Sequence, residues 1–115
     1  MGSKSLKVGI IGCGTIGSQI AHACQGLLKD KVNLAAICDS DAKRALALKQ
    51  DLKKGPAVLR QDELIKNCSL VVEAASARIS GEVLDKCVRS GRDCMIMSVG
   101  GLIGREELLK KAEKN

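Results

Sequence analysis

Gly12, Gly14 and Gly17 stand in the pattern G-x-G-x-x-G directly after a short apolar run at residues 7–11. Glycines at this spacing between a strand and a helix build a loop that cradles two linked phosphates. Gly12 permits a tight turn, Gly14 leaves the backbone open to a pyrophosphate, and Gly17 lets the helix lie close against the strand. Thr15 and Ile16 open that helix, where unpaired N–H groups and about half a positive charge face the phosphates. Thr15 adds a hydroxyl. The plain alternative is a strand-to-helix turn that holds no ligand.

A second chemical element lies 22 residues beyond Gly17, where Asp39 closes the apolar run 32–38. A carboxylate at this place accepts hydrogen bonds from adenosine ribose hydroxyls. It also repels a 2′-phosphate, which favours NAD over NADP. Lys43 and Arg44 follow closely, and either can pair with such a phosphate, so NADP stays open. Alternatively Asp39 is a cap or a solvated acid, although Ser40 and Asp41 would cap a helix equally well. Further along, Glu73-Ala74-Ala75-Ser76 and Ser98-Val99-Gly100 each end an apolar run. Ligands sit at the carboxyl ends of parallel strands. Ala75, Ser76, Ser98 and Val99 are therefore candidate cofactor contacts, small enough to admit a nicotinamide ribose. Ordinary turn chemistry is the alternative.

Groups able to move a proton are scarce. His22 is the only histidine, and it falls on the first helix, past the phosphate loop, as a surface or partly buried imidazole. Glu73 reads as the buried end of a strand that anchors a loop. Cys13 lies near a helix N-terminus, where a thiol's pKa can fall, but reads as simply tolerated there. No carboxylate pair or nucleophile–base set is visible, and no catalytic residue is assigned. Six cysteines occur without any C-x-x-C pair, so no metal site is expected.

The elements that must position these residues alternate regularly. Apolar runs at 7–11, 32–38, 57–59, 70–74 and 94–97 read as strands buried on both faces. Between them lie helix-period segments. Residues 15–28 place Ile16, Ile20, Ala23 and Leu27 on one face, and a helix opening at Asp41 turns Ala45, Leu48 and Leu52 inward before Gly55-Pro56. A brief helix covers 61–67. Ser80 can cap a helix that buries Val83, Cys87 and Val88 and ends near Gly91, and residues 105–113 form a last helix. Strand and helix in alternation give an α/β fold, a doubly wound parallel sheet of the Rossmann type with about five strands in order 3-2-1-4-5.

The chain's 115 residues suit one domain, read as a dinucleotide-binding unit over 1–115 in which residues 1–5 are tag-like or disordered and have no structural role. Phe, Tyr and Trp are absent, so no ring can stack on a base, which weighs against nucleic-acid binding. The net charge of +6 is dispersed without a basic block, as on solvated helix faces, and its mild field suits an anionic ligand. No run approaches a membrane span. Cysteines within apolar runs suggest a reducing, cytoplasmic setting.

The stretches Gly9-Ile10-Ile11-Gly12-Cys13-Gly14-Thr15-Ile16-Gly17, Ile37-Cys38-Asp39, Val71-Val72-Glu73-Ala74-Ala75-Ser76 and Met95-Ile96-Met97-Ser98-Val99-Gly100 together resemble the amino-terminal half of the L-aspartate dehydrogenase family, which is similar in architecture to homoserine dehydrogenases. The first two stretches are general to dinucleotide folds; E-A-A-S and M-S-V-G are more specific. The chain departs from the family at Gly100-Gly101-Leu102, where Gly-Ala-Leu is expected. The resemblance implies that Gly12, Gly14 and Gly17 hold the pyrophosphate of NAD or NADP, that Asp39 holds the ribose, and that the Ala75-Ser76 and Ser98-Val99 loops lie near the nicotinamide. It also implies that the substrate domain and the catalytic histidine lie beyond residue 115, so that this chain alone is inactive. The fifth strand would then be an open edge prone to homo-oligomer formation. A free-standing nucleotide-sensing or dimerising module without catalysis is the competing reading.

Overall fold

The computed structural model describes residues 6–97. Five strands and four helices alternate through it: β1 (Leu6–Ile11), α1 (Thr15–Gln25), β2 (Val32–Cys38), α2 (Ala42–Asp51), β3 (Ala57–Val58), α3 (Gln61–Asn67), β4 (Leu70–Glu73), α4 (Ala77–Ser90) and β5 (Asp93–Ile96). All neighbouring strands are parallel, as the alternation predicts, and the sheet order is the expected β3-β2-β1-β4-β5. The expected loop at Ser98–Gly101 and helix at 105–113 lie outside the described residues.

Each face of the sheet carries its own core. Val8 and Ile10 of β1 pack with Leu34 and Ile37 of β2 under Ala21, Cys24, Ala45 and Leu48 of α1 and α2. On the opposite face Ile11, Ala36 and Val71 meet Leu64, Ile65, Val83 and Cys87 of α3 and α4. Side chains alternate between faces along a strand, so continuous apolar strands are what a sheet covered on both sides requires; the edge strands depart from that expectation, β3 being exposed and β5 half-buried only at alternate positions. Gly9 faces α3, where an added Cβ would lie 2.6 Å from both Cys68 Sγ and Leu64 Cδ2.

Two helix readings need correction. α1 buries Gly17, Ala21 and Cys24, whereas Ile16 is half exposed and Leu27 lies beyond the helix, almost fully exposed. The inward face is thus rotated by one residue from the stripe of large apolar side chains. Gly17 fixes this phase: a Cβ there would stand 1.8 Å from the Gly12 carbonyl oxygen, so only this glycine can face the strand end at such close range. The helix α4 begins at Ala77, with Ser76 at its N-cap position. Ser80 is therefore no cap but a buried residue inside the first turns, its hydroxyl donating to the Ala77 carbonyl at 3.2 Å. Val83 and Cys87 are buried as expected, but Leu84 takes the inward place given to Val88, which is half-buried; the end at Gly91 is as expected, with φ +67° and N–H groups closing on the last turn.

Candidate functional site

The carboxyl ends of β1, β2 and β4 bring the glycine loop, Asp39 and the Glu73–Ser76 turn to one edge of the sheet. Gly12 adopts φ +108°, and an added Cβ would lie 2.6 Å from the Ala74 carbonyl carbon and the Ala75 nitrogen. The turn after β4 therefore packs directly on the glycine loop. Gly14 differs: an added Cβ would meet only Arg44 Nη1, at 4.0 Å. Its backbone faces open space, as an approaching ligand requires.

The helix N-termini of the fold are not equivalent. In α2, Asp41 caps by accepting from Lys43 N at 3.0 Å. The short α3 carries Asp62 and Glu63 in its first turn. Beside the start of α4 the Glu73 carboxylate accepts from Ala75 N and Ser76 N at 2.8 and 3.0 Å. For α1, no side chain among the described residues caps the helix and its first turn has no acid. Ser18 N is the donor to the Gly14 carbonyl at 2.9 Å, which leaves the N–H groups of Thr15, Ile16 and Gly17 ahead of the helical ladder. In α1 the nearest internal carboxylate, Asp39, is engaged with Cys13 N ahead of the helix, and among the described residues no side chain accepts from the first helical N–H groups. A pyrophosphate fits that demand in charge and in hydrogen bonding.

Asp39 is neither a helix cap nor a solvated acid. Its side chain is 6% exposed. Oδ2 accepts from Cys13 N and Oδ1 from Asp41 N, each at 2.8 Å. The acid thus ties the end of β2 to the glycine loop while leaving about half of a carboxylate's acceptor positions for ribose hydroxyls. Arg44 Nη1 stands 3.9 Å from Asp39 Oδ2 on a largely exposed side chain. Its guanidinium spans the mouth between Asp39 and Gly14. Ala75 and Ser76 sit on the turn against Gly12; Ser98 and Val99 lie outside the described residues.

The remaining reactive groups do not converge here. His22 pairs through Nε2 with Asp51 Oδ2 at 2.9 Å on the protein surface. Cys13 is buried, and burial followed by the negative charge of Asp39 pushes its thiol pKa up to about 11. The helix N-terminus does not make it a thiolate. Cys38 is likewise raised, by burial and then Asp39. A cleft of about 890 Å³ opens at the opposite end of the sheet, lined by Lys7, Lys29, Lys53 and Lys54 among others. The ends of α1 and α2 point there, and lysines at helix C-termini balance the partial negative charge of exposed carbonyls. Among the described residues no group of His, Cys, Asp and Glu could hold a metal ion.

Sequence reasoning did not find the donor role of Cys13 N or the placement of Arg44 over Gly14. The second had a signal: Arg44 follows Asp39 by five residues, in the first turn of a helix whose start is fixed by the Asp41 cap.

Comparison with known proteins gives the family and the fold. The family model described as "Homoserine dehydrogenase, NAD binding domain" matches residues 12–115. An L-aspartate dehydrogenase of Methanosarcina barkeri is 39% identical over 96% of this chain, which corresponds to 42% of that protein. One from Bradyrhizobium diazoefficiens is 32% identical over 98% of the chain and 40% of its own length. The chain thus spans about two-fifths of these relatives. Among solved structures, myo-inositol dehydrogenase from Lactobacillus casei, in complex with NAD(H) and myo-inositol, superposes with TM-score 0.84 at 18% identity, covering 97% of this chain and 34% of that one. A probable dehydrogenase from Thermotoga maritima gives TM-score 0.77 at 25% identity, over 95% and 33%. These likenesses show the dehydrogenase-type Rossmann fold.

Proposed function

The chain belongs to the homoserine dehydrogenase NAD binding domain family, and we propose that it is the dinucleotide-binding domain, over residues 1–115, of an L-aspartate dehydrogenase. The observation that carries this reading is the uncapped start of α1 above the open backbone of Gly14. In it Gly12, Gly14, Thr15, Ile16 and Gly17 hold the pyrophosphate, and Asp39 accepts from the adenosine ribose. Ala75 and Ser76, with Ser98 and Val99, border the nicotinamide ribose. NAD is the cofactor that Asp39 favours, and Arg44 admits NADP.

When bound, the nicotinamide supplies the two-electron acceptor that oxidises L-aspartate to iminoaspartate, which water hydrolyses to oxaloacetate and ammonia. The residues of this chain bind and orient. None of the residues assigned here moves the proton, and His22 is engaged with Asp51 on the surface. The chain alone is then expected to bind cofactor without oxidising L-aspartate. No described helix is long and apolar enough to cross a membrane. The six free thiols support a cytoplasmic location.

Calorimetric titration of NADH and ADP-ribose into the wild-type chain and Asp39→Ala tests the reading. Micromolar to millimolar binding of both ligands is expected, with NADH affinity falling about tenfold in the variant, the loss of a charged hydrogen-bond acceptor. Failure of the wild type to bind either ligand overturns the cofactor assignment. An unchanged affinity in Asp39→Ala overturns the ribose assignment.

A further inference from the structure

Glu73 is fully buried at the end of the interior strand β4, a costly place for a carboxylate unless its bonds are made. Its Oε2 accepts two successive backbone N–H groups, from Ala75 at 2.8 Å and Ser76 at 3.0 Å. Bonds to a charged acceptor are about twice as strong as neutral ones, so this carboxylate dictates the course of the turn. Ala74 N in turn donates to the Ile11 carbonyl at 2.8 Å. The turn so fixed lies in contact with Gly12, within the space a side chain there would need. One internal anion thus sets the distance between the loop at the start of α1 and the strand end beside it.

We infer that Glu73 is a positioning residue for the nicotinamide half of the cofactor: through the Ala75-Ser76 turn it holds that half in register with the pyrophosphate half bound at Gly12–Gly17. This rests on the cofactor reading above. It assigns Glu73 no contact with cofactor or substrate and no proton transfer.

The test uses ADP, which keeps the adenosine and pyrophosphate of NADH but lacks the nicotinamide and its ribose. Both ligands are titrated calorimetrically into the wild-type chain, Glu73→Ala and Glu73→Gln. Backbone amide exchange at Ala75 and Ser76 is followed by NMR. In Glu73→Ala the two amides are expected to lose protection. NADH affinity falls about tenfold, and ADP affinity stays within about twofold of wild type. Glu73→Gln keeps one acceptor oxygen without the charge, so its NADH loss is expected near threefold. Should Glu73→Ala fail to fold, the Gln variant alone decides. Equal changes in both ligands, or no change in NADH, in a folded variant would overturn the inference. A wild type that binds neither ligand speaks against the cofactor reading instead.

Discussion

At the scale of single residues, Arg44 is the group whose chemistry is least settled by its neighbours. Its ion pair with Asp39 is long at 3.9 Å and its side chain 61% exposed, so the pair contributes little, on the order of 0–1 kcal/mol. A guanidinium so lightly held turns readily to a stronger anion, and its planar fork suits phosphate. Arg44→Ala is therefore expected to lower NADPH affinity about tenfold, or ~1.4 kcal/mol, while NADH affinity changes less than about twofold. Competition calorimetry with both cofactors checks this, and parallel losses would place Arg44 at the pyrophosphate instead. The sequence shows Lys43 and Arg44 side by side and cannot choose between them. Successive helical residues point about 100° apart, and the Asp41 cap sets the phase in which Arg44 faces Asp39. Asp39 itself was legible as the acid of this site from its distance to Gly17. Its bond to Cys13 N was not, because a contact across 26 residues leaves no local trace.

At the scale of elements, α2 was read correctly because apolar spacing and burial coincide: Ala45, Leu48 and Leu52 are all buried. In α1 they part. The large residues Ile16 and Ile20 gave the stripe, whereas the closeness of the helix to the Gly12 carbonyl set the inward face. Hydrophobic periodicity assumes that the largest apolar side chains go inside, and here a backbone-to-backbone approach has precedence. Two substitutions separate such packing from backbone conformation. In Gly17→Ala the new Cβ would overlap backbone, which cannot rotate away, so α1 must shift. A loss of about 3 kcal/mol and of detectable NADH binding is expected. Gly91 has φ +67° with nothing within 4 Å of an added Cβ. Gly91→Ala should therefore cost only about 1 kcal/mol through its left-handed backbone, with NADH affinity unchanged. Urea unfolding together with titration reads both quantities. Similar stability losses in the two variants would refute the packing account of Gly17.

At the scale of the whole molecule, alternation and handedness gave a doubly wound parallel sheet, and the glycine loop after the first strand with the acid ending the second favoured the order 3-2-1-4-5 over 2-1-3-4-5. What the sequence pattern could not deliver was the set of partners at the sheet's margins. Among the described residues β5 pairs only with β4, and it leaves Met95 and Met97 half exposed on alternate positions of one face. A strand edge with unpaired backbone groups and adjacent apolar side chains invites a second chain. The edge runs on from a strand that pairs with β4, the strand bearing Glu73, so association there would bear on the candidate site as well as on solubility. Self-association through this edge predicts a sedimentation-average mass that rises above that of one chain as concentration increases. Met95→Lys should return it towards the single chain, because a charge brought against its own copy opposes pairing. The same substitution should leave ADP-ribose affinity within about twofold of wild type, since Met95 lies away from the start of α1. A mass that stays at one chain over the full concentration range would remove β5 as an interface, and a Met95→Lys variant that still associates would move the interface to another surface.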